Sequence, residues 1–424
     1  MTLILVAAIV LLALLGTPLY AIIGLAALLS FHFADINSAA IFIELYRVAS
    51  APTLIAIPLF TFAGFILAES KTPQRLTRLT RALLGGIPGG LPWVVLVACA
   101  FFTAFTGASG VTIIALGGLL YPLLLKEHYG KNFSLGLMTS SGSLGLLFPP
   151  SLPLILFGLV ASVNIDQLFL AGLVPGVMMI LILAGYSMIM SRRFHIPRTP
   201  FDWQETVTAV RETLWELPLP FIIIFGIYGG LFTVTEAAAV TVIYVIVVES
   251  FVYRDIHPLR DLPGIMKSSM VLVGTILIIL GTAMGFTSYL VDEQVPMQLL
   301  AFMREYIDDQ LTFLIVLNLF LLVVGCMMDI FSAIIVVVPL IVPIAQNFDV
   351  NMVHLGIIFL TNLEIGYSTP PVGINLFIAS SRFQEPVVRL YTATLPFLGL
   401  RLIGLMVITY FPALSLFLLD VFQR

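Results

Sequence analysis

Two stretches of the chain, GSLGLLFPPS at residues 142–151 and GYSTPPVGIN at residues 366–375, decide the fold. Each carries adjacent prolines, Pro149-Pro150 and Pro370-Pro371, inside a segment that is otherwise rich in apolar and small residues. Two consecutive residues without an N–H donor, each clashing with the turn before it, cannot continue an α-helix. Each stretch therefore predicts a broken helix. Backbone freed in this way is tolerated at membrane depth only where it is buried in protein or lines a polar cavity, and unwound carbonyls of this kind suit Na+.

The rest of the chain makes membrane depth the right setting. Of its 424 residues 60% are hydrophobic and 10% charged, with a mean hydropathy of +1.11, whereas soluble domains are about a quarter charged. Apolar runs at 3–30, 91–125, 133–163, 168–190, 218–248, 268–291, 311–346 and 390–419 reach or exceed the roughly 20 residues that cross a bilayer. The first run lacks a positively charged start and outlasts a signal-peptide core, so it reads as a retained membrane helix. A net charge of −4 and the lack of a long basic block leave nothing to attract nucleic acid. Cys99 and Cys326 sit in apolar runs without metal-ligand spacing and read as packing residues.

Lys and Arg in short loops mark the cytoplasmic side. Here they are Lys71, Arg75, Arg78 and Arg81; Lys126 and Lys131; Arg192, Arg193, Arg198 and Arg211; Arg254, Arg260 and Lys267; and Arg382 and Arg389. The gaps 31–37, 164–167, 292–310 and 347–351 contain Arg304 as their one basic Lys or Arg and read as external. On this map 91–125 has both ends inside, with Phe105-Thr-Gly-Ala-Ser-Gly110 at its middle, and 311–346 has both ends outside, with Met328 and Asp329 at its middle. Both read as re-entrant helical hairpins.

The halves repeat. Gly64/Gly285, Phe65/Phe286, Pro122/Pro343, Gly145/Gly366, Pro149/Pro370, Pro150/Pro371 and Pro175/Pro396 are all 221 residues apart. The charge map runs 40–70 inward and 265–291 outward, so the repeats are inverted. The expected fold is an all-α polytopic membrane protein: a first inverted repeat at 1–190, a cytoplasmic-side linker at 191–223 carrying Trp203, Arg211 and Trp215, and a second repeat at 224–424. The broken helices fall at 133–163 and 352–380. Inverted repeats with interrupted helices around a mid-membrane site are the architecture of secondary transporters, which argues against an enzyme.

Charged residues in the crossing segments need partners, because a carboxylate facing lipid at the centre costs roughly 2.5–3.5 kcal/mol. Asp329 at the second hairpin tip is expected to ligate a cation or orient backbone amides, or else to cap the returning helix. Arg401 in the last segment is expected to neutralise a buried carboxylate such as Glu364 or to attract an anionic substrate.

The first hairpin tip at 105–110, GSLGLLFPPS at 142–151, GLFTVTEA at 230–237, GCMMD at 325–329 and TPPVGINLF at 369–377, taken in order, resemble the large membrane subunit of TRAP (tripartite ATP-independent periplasmic) transporters, the DctM-like family. The resemblance covers nearly the whole chain. The family pattern at the first tip is usually Ser-Gly-Ser, where this chain has Gly107-Ala108-Ser109-Gly110, which leaves open the side chain that contributes there. The resemblance implies an elevator-type ion-transporter fold, in which a hairpin-bearing domain moves against a scaffold of 1–70, the linker and 218–291. It implies one Na+ site joining Gly107, Ala108, Ser109 and Gly110 to the loop from Gly145 to Pro149, and a second joining Met328 and Asp329 to the segment from Gly366 through Thr369 and Pro370. The substrate, an organic acid such as a C4-dicarboxylate or sialic acid, would lie between the tips near Ser109, Ser143, Thr369 and Asn375, with Arg401 as a further candidate contact.

The implied partners are membrane lipid, a periplasmic substrate-binding protein and a small four-helix membrane subunit, expected on a separate chain because no extra four-helix segment flanks the core. The implied setting is the bacterial inner membrane, with the N-terminus cytoplasmic and the C-terminus periplasmic. The sodium gradient would drive transport, at roughly 2.3 kcal/mol per net charge per 100 mV, and no nucleotide motif is present. A self-sufficient Na+/dicarboxylate symporter shares this architecture. Gly107-Ala-Ser-Gly110 also spells the GxSG motif of intramembrane serine proteases, which need a histidine base beside the serine. His32, His128, His195, His257 and His354 lie in or beside loops.

Overall fold

In the computed structural model, residues 12, 17–34, 37, 39–87, 89–194, 196 and 202–422 are described, and every described regular element is helical. Residues 3–11 and 13–16 of the expected first membrane run, together with His195 and Arg198, lie outside the described residues.

The first repeat comprises α1 (Leu19–Phe33), α2 (Ala39–Ala49), α3 (Ala56–Glu69) and a short arm α4 (Thr72–Leu84). A hairpin follows, α5 (Gly90–Thr106) and α6 (Ser109–Lys126), then a broken helix made of α7 (Lys131–Ser141), a 3-10 turn (Leu144–Leu147) and α8 (Leu152–Ala161), and then the long α9 (Ile165–Arg193). The linker contributes α10 (Trp203–Thr213). The second repeat runs through α11 (Pro218–Tyr228), α12 (Val234–Val247), α13 (Leu262–Asp292) and the arm α14 (Val295–Arg304). Its hairpin is α15 (Gln310–Met327) and α16 (Ile330–Asn347), its broken helix α17 (Met352–Gly366) and α18 (Ile374–Phe383), and α19 (Val387–Tyr410) and α20 (Ala413–Phe422) close the chain.

The offset of 221 carries Ser109–Lys126 onto the bounds of α16, Ile330–Asn347, and puts the first residue of α7, Lys131, on the first residue of α17, Met352. The two broken helices are interrupted where the prolines predict: α7 with its 3-10 turn and α8 bend by 47°. Pro149-Pro150 and Pro370-Pro371 are both cis. Among the described residues, eight helices are long and apolar enough to cross a membrane. The expected domain bounds shift slightly. α9 runs on past residue 190 to Arg193, because Arg192 and Arg193 suit a helix C-terminus, and α11 begins at Pro218, a residue pre-set for a first helical turn, so residue 224 lies inside it.

Packing sorts the helices into two groups. α13 packs on α1, α2 and α3, and α12 packs on α3. The hairpins pack on the broken helices in a crossed pattern: α5 lies on the 3-10 turn of its own repeat and α15 on α17, but α6 lies on α18 of the second repeat and α16 on α8 of the first. Glycines permit the closest approaches. A Cβ on Gly145 would stand 2.2 Å from the Ala100 carbonyl oxygen and 2.5 Å from the Ala104 nitrogen, and one on its repeat mate Gly366 would stand 2.5 Å from the Gly325 carbonyl carbon. In both repeats, then, the loop of the broken helix rests directly on hairpin backbone.

The arm α4 is held by charge. Arg75, 11% exposed, lies 2.5 Å from Glu216, 3.0 Å from Glu249 and 2.5 Å from Asp255, and its guanidinium stacks 3.9 Å from the Tyr253 ring. Burial works against the charged guanidinium, but hydrogen bonds and the charges of Glu216, Asp255 and Glu249 outweigh it and raise the Arg75 pKa above its ordinary value. Arg78 adds pairs to Glu205 and Glu212 of α10. The arm is thereby fastened to the linker and to the end of α12.

Removing one member of a buried charge cluster leaves its partners uncompensated, at a cost of about 3–5 kcal/mol. Arg75→Ala should therefore lower the melting temperature of the detergent-purified protein by many degrees, while Lys267→Ala at an exposed position leaves it within about one degree; equal melting of the two variants would refute the role of the cluster. Gly366→Val is expected to cost about 1–3 kcal/mol or more through overpacking against Gly325, read as loss of monodisperse protein on size-exclusion chromatography.

Candidate functional site

The two hairpin tips are built differently from equivalent positions. At the first, Gly107 adopts φ +63°, ends α5 and donates its N–H to the Thr103 carbonyl at 2.8 Å, a left-handed cap that glycine reaches without strain. A Cβ there would also meet Leu152 at 2.5 Å, so tip and broken-helix loop are in contact. Ala108 then occupies the N-cap of α6 and offers no side-chain acceptor to the helix. Its repeat mate, 221 residues on, is Asp329. Asp329 is the N-cap of α16, its Oδ1 accepting from the N–H groups of Phe331 at 3.0 Å and Ser332 at 3.1 Å, while the Ser332 hydroxyl bonds its Oδ2. Of the two roles open to Asp329, helix capping is the one its contacts display.

Ser109, the first residue of α6, donates its hydroxyl to Asn375 Oδ1 at 2.7 Å across 266 residues of sequence. Asn375 is fully buried and its Nδ2 has no partner. Thr369 is half-buried, and its hydroxyl bonds back to the Ile365 carbonyl at 2.9 Å. Around the second loop, the Gly373 N–H donates to the Cys326 carbonyl at 3.0 Å and the Tyr367 hydroxyl accepts from the Ile330 N–H. At the second loop Gly366 and Tyr367 thus meet Gly325 and Ile330 of the hairpin, and at the first Gly107 meets Leu152 while Gly145 meets Ala100 and Ala104.

Ser143 and Arg401 belong to a second hydrogen-bonded group. Arg401, 1% exposed, pairs with the fully buried Glu364 at 2.8 Å. It also donates to Ser143 Oγ at 3.1 Å and to the Ser140 carbonyl at 3.3 Å. Its charge is already committed within the protein.

Sequence reasoning passed over two groups. Thr103 and Thr112 face each other across the first hairpin at 2.6 Å, and Thr103 caps α7 by donating to the Gly142 carbonyl at 2.7 Å. Tyr367 ties the second loop to its hairpin. Nothing in the local pattern separates these hydroxyls from other membrane threonines and tyrosines. The GLFTVTEA stretch proves to be a capping box, the Thr233 hydroxyl accepting from the Glu236 N–H at 3.3 Å and Glu236 Oε2 from the Thr233 N–H at 2.8 Å.

Among the described residues no cluster of three or more His, Cys, Asp or Glu side chains forms a metal group. The two loops offer hydroxyls, backbone carbonyls and, at the second, one carboxylate. These are hard oxygen donors, which suit hard cations rather than thiophilic metals. Ser109 is committed to an amide, and the buried His354 bonds Ser415 Oγ and the Thr409 carbonyl, each at 3.2 Å.

Comparison with known proteins agrees with this arrangement. The sequence model described as "Tripartite ATP-independent periplasmic transporter, DctM component" matches residues 5–414. The C4-dicarboxylate TRAP transporter large permease protein DctM of Vibrio cholerae is 34% identical over 427 residues, covering 95% of this chain and 94% of that one. The isethionate TRAP transporter permease protein DctMQ of Oleidesulfovibrio alaskensis is 33% identical over 369 residues, covering 86% of this chain and 58% of that longer one. The crystal structure of the Alcanivorax borkumensis YdaH transporter superposes with a TM-score of 0.59 at 13% identity, covering 88% of each chain, a likeness of fold alone. The chain therefore belongs to the DctM family of tripartite ATP-independent periplasmic transporters, as a multi-pass large permease subunit and not an enzyme.

Proposed function

We propose that this permease imports an organic acid, a C4-dicarboxylate or a sugar acid such as sialic acid, by Na+ symport and an elevator movement of the hairpins and broken helices against α1–α3 and α11–α13. It works in the inner membrane, N-terminus inside and C-terminus outside, with a small membrane subunit on a separate chain and a periplasmic binding protein.

The observation that carries the reading is the collection of helix ends at the two hairpin tips and the two broken-helix loops. α6, α8, α16 and α18 begin there, and α5, α7, α15 and α17 end there. Each helix terminus carries about half a charge, positive at the start and negative at the end. Anions therefore favour the starts and cations the unwound ends, the pairing an ion-coupled anion carrier needs. Sodium binds at the two tip-and-loop groups. The substrate carboxylate binds at the start of α6, whose N–H groups lack a side-chain cap, with Ser109 and Asn375 as its polar contacts. Asp329 closes the equivalent start of α16 to anions. With Arg401 paired to Glu364, the substrate charge is met by helix ends, amides, hydroxyls and co-bound sodium rather than by an arginine. Relatives named for C4-dicarboxylate and isethionate support a small organic acid as the cargo, and relatives named for ectoine mark how widely the family's cargo varies.

The test is uptake of radiolabelled succinate and sialic acid into proteoliposomes holding the permease and its small subunit, in Na+ or K+ buffer, with and without the binding protein. Uptake should require both Na+ and the binding protein; Na+-driven uptake without the binding protein would mark a self-sufficient symporter instead. Ser109→Ala and Asn375→Leu should each lower uptake about tenfold to a hundredfold, the equivalent of the 1.5–3 kcal/mol of a hydrogen bond to a charged group. Ala108→Asp, which writes the cap of the second hairpin into the first, should abolish uptake while the protein stays folded and monodisperse; retained transport would exclude the start of α6 as the anion site.

A further inference from the structure

Ser143 and Glu364 are repeat mates, 221 residues apart, and they touch: the Ser143 hydroxyl donates to the Glu364 carbonyl at 3.3 Å. A residue in contact with its own repeat mate lies on the axis that relates the halves. Arg401 closes a ring at this point, one Nη2 reaching both Glu364 Oε1 at 2.8 Å and Ser143 Oγ at 3.1 Å. The position equivalent to Arg401 in the first repeat is Ile180. A single guanidinium therefore serves both halves.

Hydrogen bonds joined by two-residue steps of backbone connect this ring to both hairpins. On one side Arg401 Nη1 donates to the Ser140 carbonyl near the end of α7, and the Gly142 carbonyl of the same helix end accepts from Thr103 of the first hairpin at 2.7 Å. On the other side Glu364 lies two residues from Asn362, whose Nδ2 donates to Asn318 of the second hairpin at 2.7 Å. Thr103, Ser140, Ser143, Asn318, Asn362, Glu364 and Arg401 are all at most 1% exposed. In so dry a setting a displaced partner leaves a buried polar group unsatisfied, so the two loop geometries are tied to each other.

We infer that Arg401 is a positioning residue that couples the two broken-helix loops, so that a cation ordering one loop favours a cation at the other. The inference rests on the sodium sites proposed above. A neutral ring would join the same segments but would lack the charge that draws the carbonyl end of α7 and the Glu364 carboxylate onto one group. Lysine would not replace it, since a point charge lacks the planar fork that reaches three acceptors.

The experiment is a thermal-shift titration of the purified permease with its small subunit, Na+ replacing choline at constant ionic strength. The wild type should give a cooperative response, with a Hill coefficient approaching two for two coupled sites. The Glu364→Gln/Arg401→Gln pair removes both charges together and avoids stranding one; its response should fall to a Hill coefficient of about one. Ser143→Ala, which leaves the ion pair in place, should lower the coefficient as well and serves if the double variant does not fold. A merely structural role would lower the melting temperature in Na+ and choline alike with the coefficient unchanged, and that result overturns the inference. A wild-type coefficient of one overturns it while leaving sodium binding intact. A wild type that does not respond to Na+ overturns both this inference and the sodium reading.

Discussion

Two prolines in a row at the middle of a membrane impose the constraint on which the rest of this structure depends. They remove two N–H donors and unwind the helix, and the freed carbonyls have no water to turn to. Protein must cover them. At each break the cover is a re-entrant hairpin, laid so close that Gly145 and Gly366 have no room for a Cβ against its backbone. The hairpins in turn end at mid-membrane, which adds their own helix termini to those of the broken helices. A polar, charge-sorting site follows from the need to bury an interrupted backbone.

Symmetry supplies the site and departures from symmetry give it direction. Positions 108 and 329 are equivalent, yet one carries Ala at an uncapped helix start and the other Asp at a capped one. Positions 180 and 401 are equivalent, yet one carries Ile and the other the Arg that joins the halves. The arms differ too. α4 is held to the linker and to the end of α12 by Arg75 and its three carboxylates, while its repeat mate α14 borders a wholly apolar cavity lined by Phe302, Phe313 and Ile341. An exact two-fold repeat would present the same helix start at both tips; these substitutions make the two tips chemically different.

The charge chemistry of the interior is conservative. Glu364 and Arg401 are a neutral pair in a medium where a lone charge is costly, and their value lies in where they stand rather than in net stabilisation, since buried ion pairs gain little over apolar packing. The larger charge cluster around Arg75 lies just past the C-terminal end of α12, where the linker, the arm and the membrane helices meet. Both clusters join segments distant in sequence, and both sit at places where relative movement of those segments would have to break them.

Much of the architecture is legible in the sequence because its causes are local. Proline interrupts a helix wherever it stands, an apolar run of sufficient length crosses a bilayer, and glycines and prolines recurring at an offset of 221 report a duplication before any packing is known. The hairpin tips and the breaks follow from these. What the sequence could not decide is which distant groups meet. That Ser109 bonds Asn375, 266 residues away, depends on α6 crossing to the second repeat's α18 rather than lying on its own α8. Likewise Arg401 was open to two roles until Glu364, Ser143 and the end of α7 were seen to surround it. Backbone consequences travel one turn along the chain and can be read there; partnerships between side chains are set by how helices cross in three dimensions, which only the folded structure decides.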